Sequence, residues 1–189
     1  MIGNDELLEV LRLRLSKKRL QHSKNVADEA QRLAVKYGAD PEKAYTAGLL
    51  HDICKEIPPE EQKNYVLLSR RDVCDAEKEV PALWHSIAGA YYAEFVLGCH
   101  DEDMLNAVRY HTAGRGNMSL LEEIVYMADL TSVDRSYKDV AQMRKLASSN
   151  LKKAMLEAVK FSVSDVMAKG SLIPVHTINA YNRYCREDK

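Results

Sequence analysis

A chain of 189 residues suits one domain, long enough to bury a substantial core without disulfide staples. Hydrophobic residues are 46%, charged residues 29% and the formal net charge -1, so no broad basic face for duplex nucleic acid is implied. No segment approaches the ~18 consecutive apolar residues of a membrane span, which sets membrane proteins aside.

The chain begins Met1-Ile2-Gly3-Asn4-Asp5-Glu6, without the basic and apolar regions of a signal peptide, and the cytoplasm is the expected compartment. Asn4 is the expected cap of a first helix carrying Leu7, Leu8, Val10, Leu11 and Leu15. A second helix is predicted from about Lys18 to Tyr37, with His22, Val26, Ala30, Leu33 and Tyr37 on one stripe. Gly38 ends it, and Asp40-Pro41 opens a third in N-cap and N1 order, with Ala44, Ala47, Gly48 and His51 on one side. Ile57-Pro58-Pro59 breaks the chain, a short helix follows over 60–69, and 70–80 reads as a polar surface connection.

Pro81 opens a helix whose inward face holds His85, Ala88, Gly89, Tyr92 and Val96. Asp101 caps the next, which carries Met104, Ala107, Val108 and His111. Ser119-Leu120-Leu121-Glu122 is a capping box leading to Ile124, Val125, Ala128 and Asp129. Helices are predicted again from Asp139 and from Leu151, the latter stopped by Gly170. The segment Leu172-Ile173-Pro174-Val175-His176-Thr177 precedes a last, tyrosine-rich helix. No run alternates with period two, so the expected fold is all-α. It is a single bundle of about nine or ten helices over 1–189, with a core at about 18–135 and C-terminal helices over 139–186 packing on it.

The four cysteines, Cys54, Cys74, Cys99 and Cys185, have no CxxC or zinc-ribbon spacing and read as free thiols in a reducing compartment. The stretch Gly48-Leu49-Leu50-His51-Asp52-Ile53-Cys54-Lys55 joins a neutral nitrogen donor to an anionic oxygen donor, a pairing suited to a divalent cation. On a helix, Lys55 would share their patch. A second pair, His100-Asp101, follows Gly98 and reads as structural, which shows how little the dipeptide says alone.

The surroundings of the first pair say more. His22, His51, His85 and His111 each fall on the apolar or small-residue side of a predicted helix, and Asp129 follows Ile124, Val125 and Ala128. One such histidine is more often a hydrogen-bonded core residue, and Asp129 alone would cap or pair with Arg135. Four inward histidines with Asp52 and Asp129 on separate helices read as a metal site. Singly, Arg19, Lys55, Arg115 and Arg135 are ordinary surface charges.

The order His22, His51-Asp52, Asp129 resembles the HD-domain metal-dependent phosphohydrolases, and His85 and His111 resemble the subset with two further histidines. Longer strings resemble the bacterial YqeK family of symmetrical dinucleoside tetraphosphatases. They are Arg19-Leu20-Gln21-His22, His51-Asp52-Ile53-Cys54-Lys55, Trp84-His85-Ser86-Ile87-Ala88-Gly89-Ala90, His111-Thr112-Ala113-Gly114, Met118-Ser119, Ala128-Asp129, Asp134-Arg135 and His176-Thr177-Ile178-Asn179-Ala180-Tyr181-Asn182. Cys54 departs mildly from the small residue expected there.

The resemblance implies a phosphohydrolase cutting diadenosine tetraphosphate into two ADP. His22, His51, Asp52 and Asp129 would hold the principal metal, implied to be iron, although manganese, zinc, nickel or cobalt suit the same donors. His85 and His111 would take a second ion or face phosphate directly. Arg19, Lys55, Thr112 and Arg135 would bind phosphate, with Arg115 left as a surface charge. Leu172, Ile173, Pro174, Val175, His176 and Thr177 are the candidate nucleoside contacts. The partner would be a small nucleotide, with neither nucleic acid nor membrane; Tyr181 and Tyr184 leave a homodimer open. An HD nucleotidase or phosphodiesterase on another nucleotide stays open, as does a non-catalytic nucleotide-binding regulator.

Overall fold

The computed structural model describes residues 3–187, so Met1 and Ile2, where the signal-peptide reading starts, lie outside it. The described chain is all-α, as expected: eleven α-helices and one 3₁₀ turn, with no strand among the described residues. The helix beyond the expected nine or ten is a five-residue piece in the polar connection. No described helix is long and apolar enough to cross a membrane.

Helix α1 (Asn4–Arg14) is preceded by Gly3, and Asn4 is its first residue rather than its cap. The Asn4 amide oxygen instead accepts the Thr46 hydroxyl at 2.9 Å, spending its acceptor on a tie to the third helix. Helix α2 (Lys17–Tyr37) starts at Ser16, whose Oγ accepts the Arg19 N–H, and ends at Gly38 with φ +77. Asp40 caps α3 (Pro41–Leu50) by accepting the N–H groups of Glu42 and Lys43.

Helices α2 and α3 touch backbone to backbone at Gly48. A Cβ built there would lie 2.6 Å from Ala27 Cα and 2.9 Å from Ala27 N, neither of which can rotate away. Gly48→Ala is therefore expected to push the two helices apart and cost about 1–3 kcal/mol, read as a lower urea midpoint. An unchanged midpoint would mean that the contact relaxes freely.

The His-Asp pair does not lie on a helix. After Leu50 the chain tightens into turns with Ile53 N–H bonded to Leu50 O at 3.0 Å and Lys55 N–H to Asp52 O at 2.8 Å. In such i→i+3 turns side chains three apart eclipse, so Lys55 stands over Asp52. Helix α4 (Pro59–Leu68) follows the proline break. The stretch 70–80 is more than a surface connection: it contains α5 (Asp75–Glu79), and Glu77 is fully buried against Arg109.

Pro81–Leu83 form the 3₁₀ turn leading into α6 (Trp84–Phe95). Asp101 caps α7 (Glu102–Tyr110) through the N–H groups of Asp103 and Met104 and pairs with Lys43 at 2.6 Å, a structural role for the second His-Asp pair. Helix α8 (Leu120–Thr131) starts at the Ser119–Glu122 capping box and packs between α2, α7, α9 (Val140–Ser149) and α10 (Leu151–Ala168). Its inward residues Ile124, Val125, Met127 and Ala128 are wholly buried, which sets Asp129 at the edge of the core. Helix α11 (Val175–Glu187) begins earlier than expected, so His176 and Thr177 are helical, and the Thr177 hydroxyl donates to Ala113 O at 2.8 Å.

Tyr184 is buried with its hydroxyl on Glu123 at 2.8 Å, so it packs within the chain. Cys54 is a core thiol, pushed up to about 12 by burial. Arg115 is not a free surface charge: its guanidinium holds the buried Glu122 carboxylate at 2.6 and 2.7 Å and lies over the Tyr110 ring.

Candidate metal centre

Five segments converge on one polar cluster. Helix α2 contributes Arg19 and His22, the turn after α3 contributes His51, Asp52 and Lys55, and α6 contributes His85. The end of α7 brings His111 and Thr112, and α8 with its following loop brings Asp129 and Arg135. His22 Nε2 lies 3.0 Å from Asp129 Oδ1, and His51 Nε2 lies 3.5 Å from Asp52 Oδ2 and 3.9 Å from Asp129 Oδ1. The other Asp52 oxygen faces His85 Nε2 at 3.4 Å and His111 Nε2 at 3.7 Å. Adjacent rings meet edge to face, His22–His51 at 5.3 Å, His51–His111 at 5.0 Å and His85–His111 at 5.1 Å.

The second nitrogen of each ring is already engaged. His51 Nδ1 lies 2.7 Å from Gly48 O, His85 Nδ1 2.9 Å from Ala82 O, and His111 Nδ1 2.7 Å from Val108 O. A carbonyl only accepts, so each Nδ1 donates and each Nε2 keeps its lone pair. His22 Nδ1 does the same with the Asp134 carboxylate at 2.7 Å. His51 Nε2 is buried with no partner, and the His85 and His111 Nε2 atoms, both acceptors, face one another at 3.2 Å. Buried lone pairs turned on each other are unfavourable without a positive charge or donor among them; Lys55 Nζ and Thr112 Oγ1 reach His85 Nε2, at 3.2 and 3.3 Å, but His51 Nε2 has neither. Four imidazole nitrogens and two carboxylates therefore fit a divalent ion, and the orienting carbonyls and Asp134 are the outer contacts such ligands use.

Charge bears on the same cluster: burial lowers the His51 pKa, but Asp52 and then Asp129 override it and raise it, the pull that carboxylates exert on any cation in their midst. Burial opposes ionisation of Asp52, but His51, His111 and His85 override it and hold the carboxyl well below the usual range. Burial, then the neighbouring His111 and Lys55, push His85 well below its ordinary value, leaving the neutral form that ligates. Arg19 holds Asp52 Oδ2 at 2.8 Å, and Arg135 holds both the Asp129 carboxylate and, at 2.7 Å, its carbonyl. Lys55 Nζ lies 3.2 Å from the His85 ring nitrogens, and Thr112 Oγ1 lies 3.3 Å from His85 Nε2. A cleft of about 640 Å³ opens beside His22, lined by Ser16, Lys18, Arg19, Glu56, Arg135 and Tyr137 among others.

All ten residues expected in the metal and phosphate groups are thus brought together. The 172–177 segment is not part of that cluster. His176 lines a separate polar cleft of about 730 Å³ with Tyr110, Arg115 and Asn179, while Leu172 and Val175 are exposed at 49% and 52%. Asp134 was missed as a site residue, although it stands beside Arg135 in one of the family strings. The orienting carbonyls carry no sequence signal.

A model of the HD domain matches residues 19–134, from Arg19 through Asp134. The chain is an HD-domain protein. This HD-domain chain is 34% identical to a symmetrical bis(5'-nucleosyl)-tetraphosphatase of Bacillus subtilis over 96% of its own length and 97% of that protein. A symmetrical bis(5'-nucleosyl)-tetraphosphatase of Halalkalibacterium halodurans is also 34% identical, over 100% of both chains. Among solved structures, a "predicted HD superfamily hydrolase involved in NAD metabolism" from Clostridium acetobutylicum superposes with a TM-score of 0.94 at 38% identity over 99% of each chain. The HD-domain protein is thus of YqeK type, homologous over its full length to the symmetrical tetraphosphatases.

Proposed function

We propose that the chain hydrolyses diadenosine tetraphosphate symmetrically to two ADP. The observation that carries this reading is the convergence of four imidazole Nε2 atoms and two carboxylates beside Arg19, Lys55 and Arg135. His22, His51, Asp52 and Asp129 hold the principal ion in this proposal, with iron as the first candidate. His85 and His111 take a second ion or meet phosphate oxygens. A divalent ion supplies Lewis acidity, activating water for attack and drawing charge from the phosphoryl oxygens.

The chain's own groups do the rest. Arg19 and Arg135 have N–H donors beyond those that hold the carboxylates, and a guanidinium suits two phosphate oxygens at once. Lys55, whose pKa burial lowers, adds a point charge to offset what develops on the leaving oxygens. Thr112 offers a hydroxyl on the His85 side. For the nucleoside, the 172–177 segment remains the candidate through the polar cleft that it borders.

Lys55→Ala is expected to retain metal but lower kcat/KM about 10–100-fold, the worth of one charged hydrogen bond. Unchanged kinetics would reduce Lys55 to a neighbour of His85. The reading as a whole is tested by anaerobic purification, metal analysis and chromatography of the products. ADP as sole product, lost on chelation and restored by ferrous or manganous ion, is the expected result. AMP plus ATP would overturn the symmetrical cut. Absence of turnover with metal bound would favour another nucleotide substrate or a regulator.

A further inference from the structure

The polar stretch before α6 turns inward at Cys74–Glu77 and meets the first turn of α11. Glu77 Oε2 accepts the Cys74 backbone N–H at 3.0 Å and an Arg109 N–H at 2.7 Å. His176 reaches the same carboxylate from the other side. Its Nε2 lies 3.5 Å from Glu77 Oε2 and 3.7 Å from Asp72 Oδ2. His176 is only 9% exposed, and that nitrogen has no hydrogen-bond partner. One donor atom each from Cys74, Glu77 and His176 all lie within 4.8 Å of one another.

A tetrahedral ion with bonds of about 2.0–2.3 Å separates its donors by about 3.3–3.8 Å. The two His176 separations already have that length. Charge agrees: Glu77, Asp72 and a Cys74 thiolate outweigh the buried cation Arg109, the nearby Lys78 being paired with Asp75 at 2.8 Å, and a divalent ion brings the group to neutrality. We propose that Cys74, Glu77 and His176, with the exposed Asp72 as fourth donor, form a second metal site for a thiophilic divalent ion such as zinc. Thiolate, imidazole and carboxylate are a zinc donor set, and none of these residues belongs to the His-Asp cluster. Arg109 orients the Glu77 carboxylate, as outer contacts of ligating carboxylates do. Such an ion ties the α5 segment to α11 and fixes the wall of the cleft that His176 lines.

Cobalt separates this site from the first. The His-Asp cluster offers only nitrogen and oxygen donors, so a thiolate-to-cobalt charge-transfer band reports cysteine ligation alone. Full-length protein, stripped by chelation under reducing conditions, is titrated with Co²⁺. Wild type and Asp52→Ala are expected to develop the band and lose it when Zn²⁺ is added. Cys74→Ser, a near-isosteric change at a half-buried position, is expected to abolish the band, and Cys185→Ser to leave it intact. His176→Ala is expected to weaken cobalt binding at this site at least tenfold. A wild type without the band, or a band that survives Cys74→Ser, overturns the proposal. Hydrolysis is assayed separately, so the two readings fail independently.

Discussion

Asp52→Ala is expected to leave a folded protein that retains little metal in the His-Asp cluster and, under the proposed function, hydrolyses diadenosine tetraphosphate about 10³-fold more slowly or worse. Among the described residues, Asp52 alone has two oxygens that face both halves of the cluster, one toward His51 and one toward His85 and His111. Its loss removes an anionic donor and leaves Arg19 without its carboxylate, so positive charge is added where an ion must bind. Metal-assisted hydrolysis draws several kcal/mol from the ion, and each 1.36 kcal/mol is tenfold in rate. Metal analysis and single-turnover kinetics check both parts together. Full activity with full metal content would remove Asp52 from the site.

The largest effect on stability is expected far from that cluster, at Glu77→Ala. Glu77 and Arg109 are each 0% exposed and exchange two hydrogen bonds, at 2.9 and 2.7 Å. Without the carboxylate, the guanidinium keeps the Asp72 carbonyl but stays buried and unpaired in charge. Breaking a buried pair from one side costs about 3–5 kcal/mol, which lowers Tm by roughly 6–20 °C in a chain of this size. Thermal melts in chelator, so that no ion contributes, are the measurement. A Tm within about 2 °C of wild type would show that the pair adds nothing.

The same pair has a pH signature. Burial opposes ionisation of Glu77, but hydrogen bonds and charge from Arg109 hold its carboxyl below the ordinary glutamate value. A folded pKa below the unfolded one contributes stability that is full above the unfolded value. That contribution is lost as pH falls through the folded value. The Tm gap between wild type and Glu77→Ala should therefore narrow in acid and not near neutrality.

Much of the fold was legible because its boundaries are written in residues with one local purpose. Gly38, Asp40-Pro41, Asp101 and the Ser119–Glu122 box stand where the helices turn. The cluster was legible for a different reason: any one imidazole on an apolar stripe has an ordinary core use, but four of them with two carboxylates on separate helices rarely coincide without a shared ion. The turn at 51–55 escaped because spacings of three and four suit an α-helix as well as tighter turns. Glu77 escaped because its partner Arg109 lies on another helix and its own surroundings in the chain are polar. Arg115 was misjudged because Glu122 already had a sufficient reason to exist as a capping residue.

Three of the four imidazoles bond to the carbonyl three residues before them, so the fold repeats one local device at Gly48, Ala82 and Val108. Each ring has therefore lost its rotational freedom in folding, a loss of about 0.5–1.5 kcal/mol per side chain that an arriving ion does not meet again. A donor set frozen in advance admits an ion quickly but adjusts little to it. Discrimination among first-row metals then falls to how well each fits the fixed geometry and the nitrogen and oxygen donors, and to whichever metal the surrounding compartment supplies.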